Sequence, residues 1–313
     1  MGDTILCIAA AMVGAGFASG QEIMQFFSQY GAFSWALVIL AAIVMGLIIQ
    51  RILSRRCENT FSGRSLLSLF YVAVGGGMTA AAGELWALTV PFHYARTLGS
   101  VITLIACLRL AEGSLQGMVW LGRILLPLLL SVLILCLRAP GTSWQKTVPI
   151  WEGVLAVLSV VGYCGLNGMI AAGVLSGSRS RKEQNKISVA VGLLTALLLG
   201  LGNAALLPHA GTLSGAVLPT VSLLRAYGKT GFYLSAAVLY LAAATTLIAV
   251  LRGLLTFSAP YLAHYRKTLV GFALLTVSML GFQDIVRAAY PALGWAYLML
   301  LFFPTMKKEN RVR

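Results

Sequence analysis

Ten residues near the start of the chain, Val13-Gly-Ala-Gly-Phe-Ala-Ser-Gly-Gln-Glu22, set three glycines, a hydroxyl, an amide and a carboxyl inside an apolar run. Each glycine weakens a helix by about 1 kcal/mol relative to alanine, so a helix crossing this stretch is expected to break. Ser19-Gly20-Gln21-Glu22 has the S-x-x-E spacing of a capping box, with Ser19 as N-cap and Glu22 reaching back to it. A second segment, Val161-Gly-Tyr-Cys-Gly-Leu-Asn-Gly168, repeats the pattern V-G-x4-[S/N]-G and puts Asn167, a good N-cap residue, where the first has Ser19. A broken helix presents free N–H groups and a positive dipole end to an anionic group, and free carbonyls to a cation. The expected solute contacts are therefore Val13, Gly14, Gly16, Phe17, Ser19 and Gln21 in the first segment, and Tyr163, Gly165 and Asn167 in the second. The competing reading is close helix packing, because Gly16-x-x-x-Gly20 is also a GxxxG pair. Glu22 and Glu84 are candidate proton or gating sites, since acids inside a membrane are costly and often functional. The capping role explains Glu22 equally well. Glu84 follows Gly75-Gly76-Gly77, a small-residue face suited to a cavity wall, but also stands near the outer end of its span, just before Pro91.

The elements that must hold these residues are membrane helices. Of 313 residues, 59% are hydrophobic and 10% charged, against roughly 25% charged in soluble domains. The apolar runs are long and continuous, without the period-2 alternation of a membrane barrel. Ten spans are expected, near 4–28 (interrupted), 32–53, 65–87, 93–110, 117–138, 150–175 (interrupted), 187–207, 231–257, 268–282 and 285–304. They form one transmembrane domain over 1–313. The matching segments lie 148 positions apart, with five spans between equivalent points. Five is odd, so the second half (about 145–305) enters the membrane from the opposite side to the first (about 1–140). Paired discontinuous helices in such an inverted repeat mark a binding site at the midplane. The segment 209–230, with Pro219, is expected to place a short helix over the outer mouth.

Charge sets the orientation. Basic clusters at Arg51, Arg55 and Arg56, at Arg179, Arg181, Lys182 and Lys186, and at Lys307, Lys308, Arg311 and Arg313 fall on one side of this topology. With the positive-inside rule they place both termini in the cytoplasm. The first span is expected to be retained, since no basic n-region or small-residue cleavage site accompanies it.

The segment Val13–Glu22, followed by Phe26-Phe27 and Gly31, together with Tyr163-x-x-x-Asn167, Thr245-Thr246 and Tyr290-Pro291-x-x-Gly294, resembles the signature of the YkvI-like family of bacterial membrane proteins. That family looks like a branch of the amino acid–polyamine–organocation superfamily, with the LeuT-type five-plus-five fold. The resemblance implies secondary transport in the bacterial cytoplasmic membrane. It also implies a candidate Na⁺ site formed by the carbonyls of Ala10, Val13 and Ala242 and the hydroxyls of Thr245 and Thr246. Residues 242, 245 and 246 share one helical face, and oxygen ligands suit a hard cation. The alternative is that both threonines bond back to their own helix.

Other chemistries are weakly represented. The three histidines and five cysteines show no metal-ligand spacing, and no catalytic constellation points to an enzyme. The net charge of +14 belongs to loops between spans, so no nucleic-acid partner is expected; the partners are the bilayer and a small-molecule solute. The expected function is cation-coupled (Na⁺ or H⁺) secondary transport of an amino acid or related amine by alternating access, with no cofactor beyond a coupling Na⁺. The alternative is a receptor of the same fold that binds a solute without moving it.

Overall fold

The computed structural model describes residues 2–54, 61–113, 115–141, 145–172, 175, 180–257 and 266–302. Among them the secondary structure is entirely helical. The first span is built from α1 (Gly2–Met12), α2 (Ala15–Ala18) and α3 (Gln21–Phe26), then a 3-10 turn at Ser28–Phe33 leads into α4 (Ser34–Ser54). Next come α5 (Phe61–Thr89), α6 (Ala95–Ala111), α7 (Leu115–Leu137), α8 (Ile150–Ala172) and α9 (Arg181–Leu206). Two short helices follow, α10 (Ala210–Leu213) and α11 (Pro219–Leu224), then the long α12 (Gly228–Phe257) and α13 (Arg266–Ser278). The chain ends in α14 (Phe282–Asp284), a π-helical turn at Ile285–Ala289 and α15 (Tyr290–Phe302).

This is an all-α membrane protein. Among the described residues five helical stretches are long and apolar enough to cross a bilayer: Ser28–Ser54, Val119–Leu137, Ile150–Ala172, Arg181–Leu213 and Pro219–Leu255. Gly2–Met12, Lys267–Ser278 and Tyr290–Phe302 are shorter apolar helices. The outward faces carry the same message as the lengths. Ile39, Ile43 and Leu47 form an exposed stripe along α4, and Val189, Leu193 and Leu197 form another along α9. Four-residue spacing keeps such side chains on one face. In water a continuous apolar face of this kind would be a liability, whereas hydrocarbon solvates it.

The interior is packed around the first span. Helix α4 lies along α9, α8 along α15, and α5 along α12, while α5 also touches α6 and α13. Helix α1 runs between α7 and α8 and reaches α12. Small residues permit the tightest of these approaches. A Cβ on Gly294 of α15 would run into the Gly162 carbonyl of α8, and one on Gly165 would run into the Gly294 carbonyl.

That packing corrects the expected break in the sixth span. Helix α8 is continuous from Ile150 to Ala172. Gly162 and Gly165 serve contact with α15, Gly168 abuts Ile48 of α4, and Asn167 caps nothing: its amide donates to the Tyr163 carbonyl one turn back, at 3.1 Å. Inside hydrocarbon every unpaired backbone group is costly, so glycine alone does not open a helix that its neighbours hold straight. The discontinuity of the first span is as expected, although its cap differs, as described next.

Candidate functional site

The first span is interrupted twice. At Gly14 the backbone is extended (φ −81°, ψ −178°), and α2 begins at the next residue. At Gly20 it turns left-handed (φ 79°), and α3 begins at Gln21. Only glycine adopts that second conformation at little cost, and a Cβ there would also lie 2.7 Å from Leu206 and 3.0 Å from Thr220. Gly20, not Ser19, is the N-cap of α3, which corrects the expected capping box. The Ser19 hydroxyl donates to the Gly16 carbonyl (3.0 Å) and accepts from the Gln21 N–H (3.2 Å). Glu22 is thereby left without the capping role. The capping box that does form lies elsewhere, at Ser180 and Glu183 ahead of α9.

Around the first interruption the chain supplies oxygen-rich partners from α12. The Thr245 hydroxyl lies 3.3 Å from the Ala10 carbonyl and 3.0 Å from the Ala242 carbonyl, and the Thr246 hydroxyl donates to the Ala11 carbonyl at 3.0 Å. Both threonines are fully buried. The structure thus brings together Ala10, Ala242 and Thr245, as expected. Thr246 pairs with Ala11, and the Val13 carbonyl, expected in the same site, takes no bond from either threonine. All these donors are neutral oxygens, a set that suits a hard monovalent cation once the hydroxyl hydrogens rotate away. Opposite, the Ala15 N–H points at the Met78 sulfur, 3.4 Å away on α5.

A small cavity lies against the other side of the break. Its walls include Val13 and Phe17 of the first span, Tyr163 of α8, and Thr195 and Leu198 of α9. It is mainly apolar, with Tyr163 and Thr195 as its hydroxyl-bearing side chains. The Thr195 hydroxyl is already committed to the Val191 carbonyl at 2.8 Å. Three of the expected solute contacts, Val13, Phe17 and Tyr163, therefore share one cavity. The others go elsewhere. Gly165 packs on α15. With its amide nitrogen turned outward, Gln21 donates to the carbonyls of Ala216 (3.0 Å) and Val217 (3.2 Å). Glu84 forms an ion pair with Arg96 at 2.8 Å, with both side chains partly exposed.

Beside the cavity stand further buried polar groups. The Glu22 side chain folds back onto α2, so that a Cβ on Gly16 would run into its carboxyl. Its Oε2 is buried and makes no hydrogen bond. The Tyr163 ring stacks on Phe26 (5.1 Å between centroids) and meets Phe27 edge-on, and its hydroxyl faces both Glu22 and Asn167. The hydroxyl of Tyr290, at the head of α15, lies 3.7 Å from where a Cβ on Gly77 of α5 would stand, and it is buried without a partner.

Two contributors escape a sequence reading. Thr220 of α11 bonds the end of α2 twice, its N–H to the Ser19 carbonyl and its hydroxyl to the Ala18 carbonyl, both at 2.8 Å. Asn203 of α9 accepts from Ser28 and donates to Ser34, each at 2.9 Å, and so pins the turn after α3. A lone Thr after a loop proline and an Asn in an apolar helix carry no motif; burial alone reveals them.

No family model matches this chain. In sequence it is similar to the "Uncharacterized protein YyaD" of Bacillus subtilis (strain 168), with 27% identity over 343 aligned positions that cover 97% of each chain.

Proposed function

We propose that this protein is a secondary active transporter with the ten-span, five-plus-five LeuT-type fold of the YkvI-like family, carrying an amino acid or related amine across the bacterial cytoplasmic membrane. The observation that carries the proposal is the doubly interrupted first span, with a small cavity set directly against its first break. Discontinuous helices beside a central cavity are the hallmark of solute sites in such transporters. The pairing of helices supports the repeat. If spans one to five are equivalent to six to ten, α1 with α7 corresponds to α8 with α15, and α12 with α6 corresponds to α5 with α13. All four pairs are in contact. The oxygen cluster at Ala10, Ala242, Thr245 and Thr246 supports a cation site beside the break. Phe17, Val13 and the Tyr163 ring would enclose the apolar part of the solute, and the first-span backbone would meet its polar end.

The test is uptake into proteoliposomes of a radiolabelled amino acid and amine panel, driven by a sodium or a proton gradient. Accumulation above equilibrium of at least one solute, abolished by collapsing the gradient, is the expected result. A solute that raises the melting temperature yet never accumulates under either gradient would replace the transporter with a sensor of the same fold.

A further inference from the structure

We infer that Glu22 is a proton-binding site, that its proton exchanges with the cavity through the Tyr163 hydroxyl, and that it is the coupling ion of the proposed transporter. Only this last step rests on the transport reading; the proton site stands on geometry. Glu22 is 3% exposed, its Oε2 has no hydrogen-bond partner, and Tyr290 is 2% exposed with its hydroxyl likewise unpartnered. Two buried polar atoms from opposite ends of the chain are thus left without hydrogen-bond partners. An ionised carboxylate without a countercharge is far costlier there than the neutral acid.

Among the described residues the surroundings offer no countercharge. Helix α3 packs on α2, the 3-10 turn, α8 and α9. The turn contributes Tyr30, which lies by Lys146. Helix α8 contributes Tyr163, Cys164 and Glu152, the last paired with Lys146 at 3.1 Å. Helix α9 contributes Arg181, Lys182, Glu183 and Lys186 in its exposed first turns. Among the described residues no ion pair reaches Glu22.

A proton also fits the access. Glu22 does not line the cavity, whereas Tyr163 does and faces Glu22 as well. A solute ammonium would have to displace the Tyr163 ring from Phe26 and Phe27. A proton needs only the hydroxyl: Tyr163 passes its hydrogen to the Glu22 carboxylate and takes another from cavity water, so the net step is carboxylate plus hydronium giving carboxyl plus water.

The test is infrared difference spectroscopy of the purified protein in lipid, stepping pH, with and without ¹³C-carboxyl glutamate. A carbonyl-stretch band of a protonated carboxyl is expected to appear as pH falls, to shift with the label, and to vanish in Glu22→Gln. In Tyr163→Phe it is expected to remain but to titrate several-fold more slowly after a pH jump. A band that is absent from the wild type, indifferent to the label or retained in Glu22→Gln overturns the site. Unchanged kinetics in Tyr163→Phe overturn the relay. If the band behaves as expected but only a sodium gradient drives uptake, the coupling role is overturned; failure of the transport reading alone leaves the band in place while no solute accumulates.

Discussion

Thr246 gives its hydroxyl to the Ala11 carbonyl at the end of the first half-helix, and that bond joins two elements 235 positions apart. Replacing it with valine keeps the shape and removes the donor. Leaving a buried acceptor unpaired costs about 1–3 kcal/mol, so Thr246→Val is expected to lower the melting temperature by several degrees in detergent, while Thr246→Ser is close to wild type. The same pair reports on the cation. If sodium binds the folded protein at this cluster, raising NaCl against choline chloride raises the melting temperature by an amount that follows RT ln(1 + [L]/Kd). That rise is expected to be lost in Thr246→Val, and a wild-type melting temperature indifferent to sodium would remove the site. Gly20 offers a second residue-level test. Its left-handed backbone and the 2.7 Å approach of Leu206 predict that Gly20→Ala destabilises by more than about 1 kcal/mol. Gly200, on an open face of α9, is the control: Gly200→Ala should leave stability unchanged or slightly improved.

At the scale of elements, the contact of α8 with α15 decides what the second glycine-rich segment is for. A Cβ on Gly294 meets backbone on α8, including the Leu166 nitrogen at 3.0 Å, and backbone cannot swing aside as a side chain can. Gly294→Ala is therefore expected to cost about 1–3 kcal/mol by overpacking, read as a lower melting temperature in detergent. A silent substitution would show that the two helices are free to separate. This pair also shows how far the sequence could be read. The positions of the long helices, and the interruption of the first, followed from apolar run lengths and from glycines that no neighbour straightens. The sixth span looked the same locally, because Gly162, Gly165 and Asn167 copy the types and spacing of the first segment. The difference lies in Gly294, 129 positions after Gly165, whose backbone fills the groove those glycines leave. Capping failed for a related reason: Ser19 turned to Gly16 behind it, and the left-handed turn fell on Gly20. Ala242 and Thr245 enter the candidate site through the family resemblance, with one helix face to share, whereas Thr220, where distant segments meet, carries no such signal.

At the scale of the whole molecule, the segment between α9 and α12 closes the first span from one side. Thr220 bonds the Ala18 and Ser19 carbonyls, and Gln21 reaches back to the Ala216 and Val217 carbonyls, so four polar links tie this cover to the end of α2. Phe17, one residue before Ala18, lines the cavity and is 3% exposed. A route from that side to the cavity must therefore break the links together, which makes the cover the element whose opening limits access. Thr220→Val removes one of the four and leaves the helices intact. In a background with the five cysteines replaced, Phe17→Cys is expected to react slowly with a membrane-impermeant thiol reagent, and several-fold faster once Thr220→Val is added. Adding Gln21→Leu should raise the rate further, because it removes two more links without touching the cavity wall. Equal rates in all three backgrounds would mean that the cavity opens elsewhere, and the natural place to look would be the opposite end, where Asp3 of α1 pairs with Arg123 of α7 at 3.1 Å. That ion pair is exposed and therefore weak.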